Sequence, residues 1–445
     1  MKAFLIYGLM AVILPLSFFS PFAGLISYFW IAYLRPHQWA WLPDSRISLA
    51  VAVATLAGYL IFELPRRLPR LLPNALIVLL WGQFGLATLF AYNYEASQPK
   101  WVEFSKTVLI ALLVTALADG ERRIRLLYLW TVVGIGLLAV RSFIGVVLSG
   151  GEYRSYGPGG MFEDNNDYAL LLVMLTPMLY YAARGAEQWW LKYGCYALTA
   201  MSFTVVFFTR SRGGFLGLCV VALALGLRSK YKVTGLIAAP VAILLVLAIA
   251  PGVVTDRLGT IQTAREQDQS AQQRLRVWGY SLQIMRDYPF TGVGARNLLE
   301  VYGKYGDPTD ARVAHNSFLQ LGVDAGPPAL FLFLSMIGLS YFRLWRTRGI
   351  LKQRAPDSPL IGYTHGMQVA LLGFMVSGFF VSRYDLELVY EVAALATALG
   401  ILARSYEREA EAKLAVVGWQ LAVDKAQPKV VEPLITSNPQ LPTAN

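Results

Sequence analysis

Charge is scarce in this chain, and so are cysteine and histidine. Charged side chains make up 15% of the 445 residues and mean hydropathy is +0.47. That balance excludes an ordinary soluble domain. The two cysteines, Cys195 and Cys219, fall inside apolar stretches, so the sequence supports neither a disulfide framework nor a cysteine metal site. Phosphate-binding P-loop and serine-nucleophile signatures are missing. No internal repeat is present, which removes support for an inverted-repeat transporter.

What the chain does have is apolar length. Stretches of about 17 or more residues recur, each enough to cross roughly 30 Å of hydrocarbon. Spans are expected at about 2–34 (broken, with Pro15 and Pro21), 47–64, 74–92, 104–118, 124–149, 167–184, 192–209, 213–228, 233–251, 316–343, 362–382 and 386–404. The first is too long for one straight crossing. It is either a kinked span with a re-entrant piece or two short helices. It has little positive n-region and no clear A-x-A site, so it does not read as a cleaved signal.

The net charge of +11 is carried largely by loops and candidate binding residues, and no nucleic-acid partner is expected. Arg66–Arg70, Arg122–Arg125, Arg228–Lys232 and Arg343–Arg354 fall on alternate connections and can all be cytoplasmic. The fold expected is an all-α polytopic membrane bundle of about 12 transmembrane helices. Its parts would be residues 1–251 with nine spans, a large periplasmic loop at 252–315, residues 316–404 with three spans, and a cytoplasmic helix extension with disordered tail at 405–445.

The loop 252–315 carries seven arginines and one lysine and ends in Ala314-His315-Asn316. Arginine suits bidentate grip on phosphate or carboxylate, and histidine suits proton transfer near neutral pH. Within the loop, Leu275, Trp278, Leu282 and Met285 recur at helical spacing, and Pro289 ends the helix. Arg274 falls at the edge of that stripe, held against the protein body, while Arg276 points nearly opposite. Thr291-Gly292-Val293-Gly294 is a glycine-rich turn that by itself says little about a ligand.

Outside the loop, Thr209-Arg210-Ser211-Arg212-Gly213-Gly214 opens a helix with two arginines and paired glycines. This is either an anion site using free N–H groups or a tight turn whose arginines snorkel to headgroups. Glu163-Asp164-Asn165-Asn166-Asp167 lacks the spacing of a calcium loop, and helix capping fits it better. His37 lies among interfacial aromatics, and His365 at a span start on the expected cytoplasmic side.

Taken in order, Asn166-x-x-Ala169, Ser211-Arg212-Gly213, Arg274-x-x-x-Trp278, Pro289-x-x-Gly292-Val293-Gly294 and Ala314-His315-Asn316 with Gly322 to Gly326 resemble the O-antigen ligase superfamily. That superfamily also holds O-antigen polymerases and protein O-oligosaccharyltransferases. Leu34-Arg35-Pro36-His37-Gln38-Trp39 resembles the exosortase-associated O-glycosylation ligase subgroup.

The resemblance implies a multi-span, inverting, metal-independent glycosyltransferase without cofactors in the bacterial inner membrane. It would move a glycan from undecaprenyl pyrophosphate to a hydroxyl on lipid A–core, or on a protein or growing glycan, with its active site facing the periplasm among membrane lipids. Carried over by position, Arg212 and Arg274 would hold the pyrophosphate, Arg210 would assist, and His315 would be the general base. Arg312, Asn316 and Asn166 are secondary candidates. The rival of another class is a glycolipid or anionic-solute transporter whose arginines bind without reacting.

Overall fold

The structure, a computed structural model, describes residues 2–39, 46–64, 74–228, 264–307 and 311–426. The expected span 233–251, the first part of the loop at 252–263, the basic segment 66–70 and the tail from 427 lie outside the described residues.

Among the described residues there are helices and no strand. In chain order they are α1 (Lys2–Phe19), α2 (Pro21–Leu34), α3 (Pro36–Trp39), α4 (Ile47–Gly58, running on into a π-turn at Tyr59–Glu63), α5 (Ala75–Leu89), α6 (Tyr94–Leu117), α7 (Glu121–Leu148), α8 (Asn165–Gly185), α9 (Trp189–Phe208), α10 (Arg212–Arg228), α11 (Ala264–Asp287), α12 (Leu298–Val301), α13 (Ser317–Arg354), α14 (Leu360–Ser377) and α15 (Glu387–Ala426). Five of them, α7, α9, α13, α14 and α15, are long and apolar enough to cross a membrane, and shorter apolar helices occupy Phe4–Phe19, Pro21–Leu34, Ile47–Glu63 and Ala75–Leu89. This is a multi-pass membrane protein.

The broken first stretch resolves into two helices meeting at Ser20. Pro21 opens α2, where its missing N–H would have had no helical partner anyway. The connections sort to two ends of the bundle. At one end Arg125 meets Glu187 at 3.1 Å, and Ser358 and Tyr406 both donate to Glu121. At the other, the Tyr92 N–H donates to the Val293 carbonyl at 2.8 Å, Asn165 Nδ2 to the Thr209 carbonyl at 2.8 Å, and Ser317 Oγ to the Val381 carbonyl at 2.6 Å.

That second end is shaped by a break in α13. Gly326 has φ 82° and ψ 163°, and Pro327 and Pro328 follow it. Two prolines remove the N–H groups that would have bonded the carbonyls of Val323 and Asp324, four residues back. The glycine-rich turn supplies replacements: Val293 N–H donates to Val323 at 2.9 Å and Gly294 N–H to Asp324 at 3.1 Å. Gln83 Nε2 donates to the Ala325 carbonyl at 2.9 Å. A Cβ on Gly292 would come within 2.2 Å of the Val323 oxygen. The Gly292-Val293-Gly294 motif is therefore a backbone patch on a broken helix.

Candidate active site

α11 carries Arg274 towards the protein on a different face from the expected stripe. The buried row is Val277, Ser281 and Ile284, with Arg274 and Tyr288 partly buried in line with it, whereas Leu275 is 64% and Leu282 57% exposed. Small and β-branched residues occupy the inner row because α11 packs directly on α13. The two leucines face out, as apolar residues can where the surroundings are lipid or interface. Arg276 is exposed, as its phase requires.

Trp278 lies one turn after Arg274, on the adjoining edge of that face. Its indole Nε1 donates to the Ala314 carbonyl at 2.8 Å. The N–H of Ala314 donates to Gln320 Oε1 at 3.0 Å. Gln320 Nε2 in turn donates to Asp324 Oδ1 at 2.9 Å, and the Tyr384 hydroxyl to Asp324 Oδ2 at 2.7 Å. Both polar groups of the residue before His315 are thus fixed, one by α11 and one by α13. His315 itself is half-buried with φ +46°, in the left-handed region that a side-chain-bearing residue seldom adopts. Asn316 then caps α13, its Oδ1 accepting from Phe318 and Leu319 N–H at 3.0 and 3.1 Å.

Arg212 arrives from α10. The turn before it is closed by Ser211 Oγ, which accepts from Gly214 N–H at 3.1 Å, and by Asn165 from α8. The paired glycines serve close packing: a Cβ on Gly213 would lie 2.4 Å from Phe380 Cβ, and one on Gly214 2.6 Å from Ala169 Cβ.

Electrostatics tie the three elements together. The pKa of Arg274 is lowered by burial and by the charge of Arg212, so the two guanidiniums lie within electrostatic reach of each other. That of His315 is lowered by burial first, then by Arg274, with Asp164 opposing and Arg312 assisting. Among the described residues no carboxylate pairs with either cation, and two unneutralised guanidiniums near a histidine whose pKa is held down are groups able to bind an anion and to accept a proton. Of the other candidates, Arg312 is exposed beside His315 and Arg210 is exposed with φ 58°. Among the described residues no hydrogen bond or ion pair joins Arg210 to Arg274 or His315. Asn166 is half-buried, and its N–H donates to Asp164, the cap of α8, at 2.7 Å. His365 belongs elsewhere, against Arg348 at 3.2 Å.

Residues 197–334 match the family model described as O-antigen ligase. That stretch of the chain is an O-antigen ligase domain. The matched stretch contains Arg212, Arg274, Trp278, His315 and the Gly326 break, so the superfamily region and the assembled site coincide. Residues 1–180 match a second model, a family of unknown function (DUF5935). No curated protein matches the chain significantly.

One part of this end went unread in the sequence. Arg383, just before α15, pairs with Asp167 of α8 at 2.5 Å and has Asp385 3.9 Å away. Asp385 also receives Lys100 of α6. Burial would raise the pKa of Asp385, but Lys100 and Arg383 outweigh it and the net shift is downward. The only sequence signal was the alternation of Arg383 and Asp385 in a short gap between two apolar stretches.

Proposed function

We propose that this protein is an O-antigen ligase-type glycosyltransferase. It transfers a glycan from undecaprenyl pyrophosphate to an acceptor hydroxyl on lipid A–core at the periplasmic leaflet, with inversion and without a metal. What supports the reading is the electrostatic coupling of Arg212 to Arg274 and of Arg274 to His315, whose pKa is held down, across three separate elements.

In this mechanism Arg212 and Arg274 bind the pyrophosphate and stabilise the charge that develops on it as the glycosidic C–O bond breaks. His315 takes the proton of the acceptor hydroxyl as its oxygen attacks the anomeric carbon from the opposite face, a contribution of about 10²–10⁴-fold for a positioned base. Both products follow from that step: the glycosylated acceptor and free undecaprenyl pyrophosphate. The loop 252–315 would act as a lid on the periplasmic side, and the helical bundle of about 12 spans would shelter the polyprenyl tail.

Purified protein supplied with lipid-linked glycan and separate lipid A–core and protein acceptors tests the reading. Each arginine contributes charged hydrogen bonds worth about 1.5–3 kcal/mol. Arg212→Ala and Arg274→Ala should therefore each lower transfer at least tenfold while the protein still inserts. His315→Ala should stop transfer and leave donor binding intact, and excess EDTA should change nothing. Near-normal transfer by both arginine variants would end the assignment.

A further inference from the structure

Beyond the Arg383–Asp167 pair lies a polar cavity of about 330 Å3 that the donor site does not use. Its walls come from α2, α3 and α6, from Gly160–Phe162, from the turn after Gly294 and from the segment before α15. Five cationic side chains line it, Arg35, Lys100, Lys106, Arg296 and Arg383, against three carboxylates, Glu103, Asp385 and Glu387. Lys100 is committed to Asp385 and Glu103, and Arg383 to Asp167. Arg35 spends one N–H on the Gly159 carbonyl at 3.0 Å. Arg296 is exposed and makes no ion pair among the described residues. His37, 6% exposed, also lines the cavity with its Nδ1 lacking a partner among the described residues.

The lining is held in place. Arg35 and Arg296 have φ 48° and 65°, left-handed conformations that persist only where surrounding structure enforces them. Around Arg296, Ser97 Oγ donates to the Ala295 carbonyl at 2.8 Å and Asn297 Nδ2 to the Val293 carbonyl at 2.9 Å. Against Arg35, a Cβ on Gly160 would fall 1.3 Å from Nη1, so only glycine leaves that guanidinium its place.

The cavity is also attached to the base. The N–H of Arg383 donates to Ser317 Oγ at 2.9 Å, two residues from His315. Asp164 acts electrostatically on His315 and on Arg383 alike.

Resting on the transfer reading, we propose that this cavity is the acceptor subsite, taking one acidic sugar unit that bears a carboxylate or a phosphate group. The excess of cations selects an anion, and the carboxylates accept hydrogen bonds from sugar hydroxyls, which a site for a bare anion would not need. The volume sits at the small end of the range for ligand sites, roughly 300–1,000 Å3, which suits a single sugar unit. Arg212 and Arg274 already serve the donor, so an acidic unit here brings its neighbouring hydroxyl to His315 from the acceptor side.

Titration of glucuronate, glucose 6-phosphate and glucose into the full-length protein in detergent tests this. Both acidic sugars, or one of them, should bind at least tenfold more tightly than glucose. Arg296→Gln and Lys106→Gln should each weaken that binding several-fold with the melting temperature of the free protein unchanged. Arg212→Ala should lose glycan transfer yet keep acidic-sugar binding. A preference for glucuronate assigns a carboxylated unit, and a preference for glucose 6-phosphate a phosphorylated one. Equal binding of all three sugars, undiminished binding by both glutamine variants, or loss of binding in Arg212→Ala overturns the subsite. Undiminished transfer by both Arg212→Ala and Arg274→Ala instead overturns the donor assignment beneath it.

Discussion

A left-handed backbone at a side-chain-bearing residue costs about 1–2 kcal/mol. At His315 that cost is held by bonds on either side: Trp278 and Gln320 fix Ala314, and Asn316 caps the helix that follows. What the arrangement secures is a fixed direction for an imidazole that stays unprotonated. Burial lowers the pKa of His315 from its usual 6.5, and Arg274 lowers it further. If His315 is the base, as proposed, it stays neutral below pH 6.5, and transfer should fall only as pH drops through the depressed value. The acid limb of kcat/KM against pH, which reports the free enzyme, should lie below 6.5. Arg312 is one of the charges pressing the value down, so Arg312→Gln should move that limb upward. A limb above 6.5 in the unaltered protein would remove His315 as the base.

Among elements, the spacing Arg274-x-x-x-Trp278 has a mechanical meaning. One turn of α11 carries the guanidinium that the proposed mechanism assigns to the donor and an indole that pins the loop of the proposed base. Trp278→Phe keeps the ring but leaves the fully buried Ala314 without its carbonyl donor, costing about 1–3 kcal/mol. We expect kcat to fall about tenfold with donor KM little changed, as rate measurements at saturating donor will show. Gly292→Ala drives a methyl onto the Val323 carbonyl and forces alanine to φ 64°. Its melting temperature should drop well below that of Gly279→Ala, where a Cβ meets nothing within 4 Å.

Much of this level was legible in the sequence. The stretches expected at 124–149, 167–184 and 192–209 are the helices Glu121–Leu148, Asn165–Gly185 and Trp189–Phe208, the first and third of them long and apolar enough to cross a membrane, because apolar length and capping residues are local signals. The inner face of α11 was read one row off, since Leu275 and Leu282 outweigh Val277, Ser281 and Ile284 in hydrophobicity. Hydrophobicity does not tell a core-facing row from a lipid-facing one when both surroundings are apolar. The Arg383–Asp167 pair was invisible because its partners are 216 residues apart and neither belongs to a periodic pattern.

Across the whole molecule, the region matched by the second family model and the last helix are one assembly. Glu391 of α15 accepts from Thr131 of α7 at 2.7 Å and from Tyr33 of α2 at 3.4 Å, and Glu387 accepts from Tyr28 at 3.0 Å. These bonds join helices up to 359 residues apart in the chain. Thr131→Val with Tyr33→Phe strips Glu391 of both donors, at about 1–3 kcal/mol for a buried acceptor left bare. The melting temperature in detergent should fall, while the pH profile of transfer stays in place; a shifted profile would mean that this junction also tunes the base.

The two prolines of α13 carry a consequence for how the molecule is made. Carbonyls at Val323 and Asp324 have no helical donor and are served by Val293 and Gly294, which precede them in the chain. Backbone groups bared in an apolar medium are costly. Synthesis runs from the N-terminus, so the turn at 292–294 leaves the ribosome before the helix that needs it. The chain order delivers the donor ahead of the acceptor, and a circular rearrangement that reversed it would have to thread a broken helix into lipid with its carbonyls exposed.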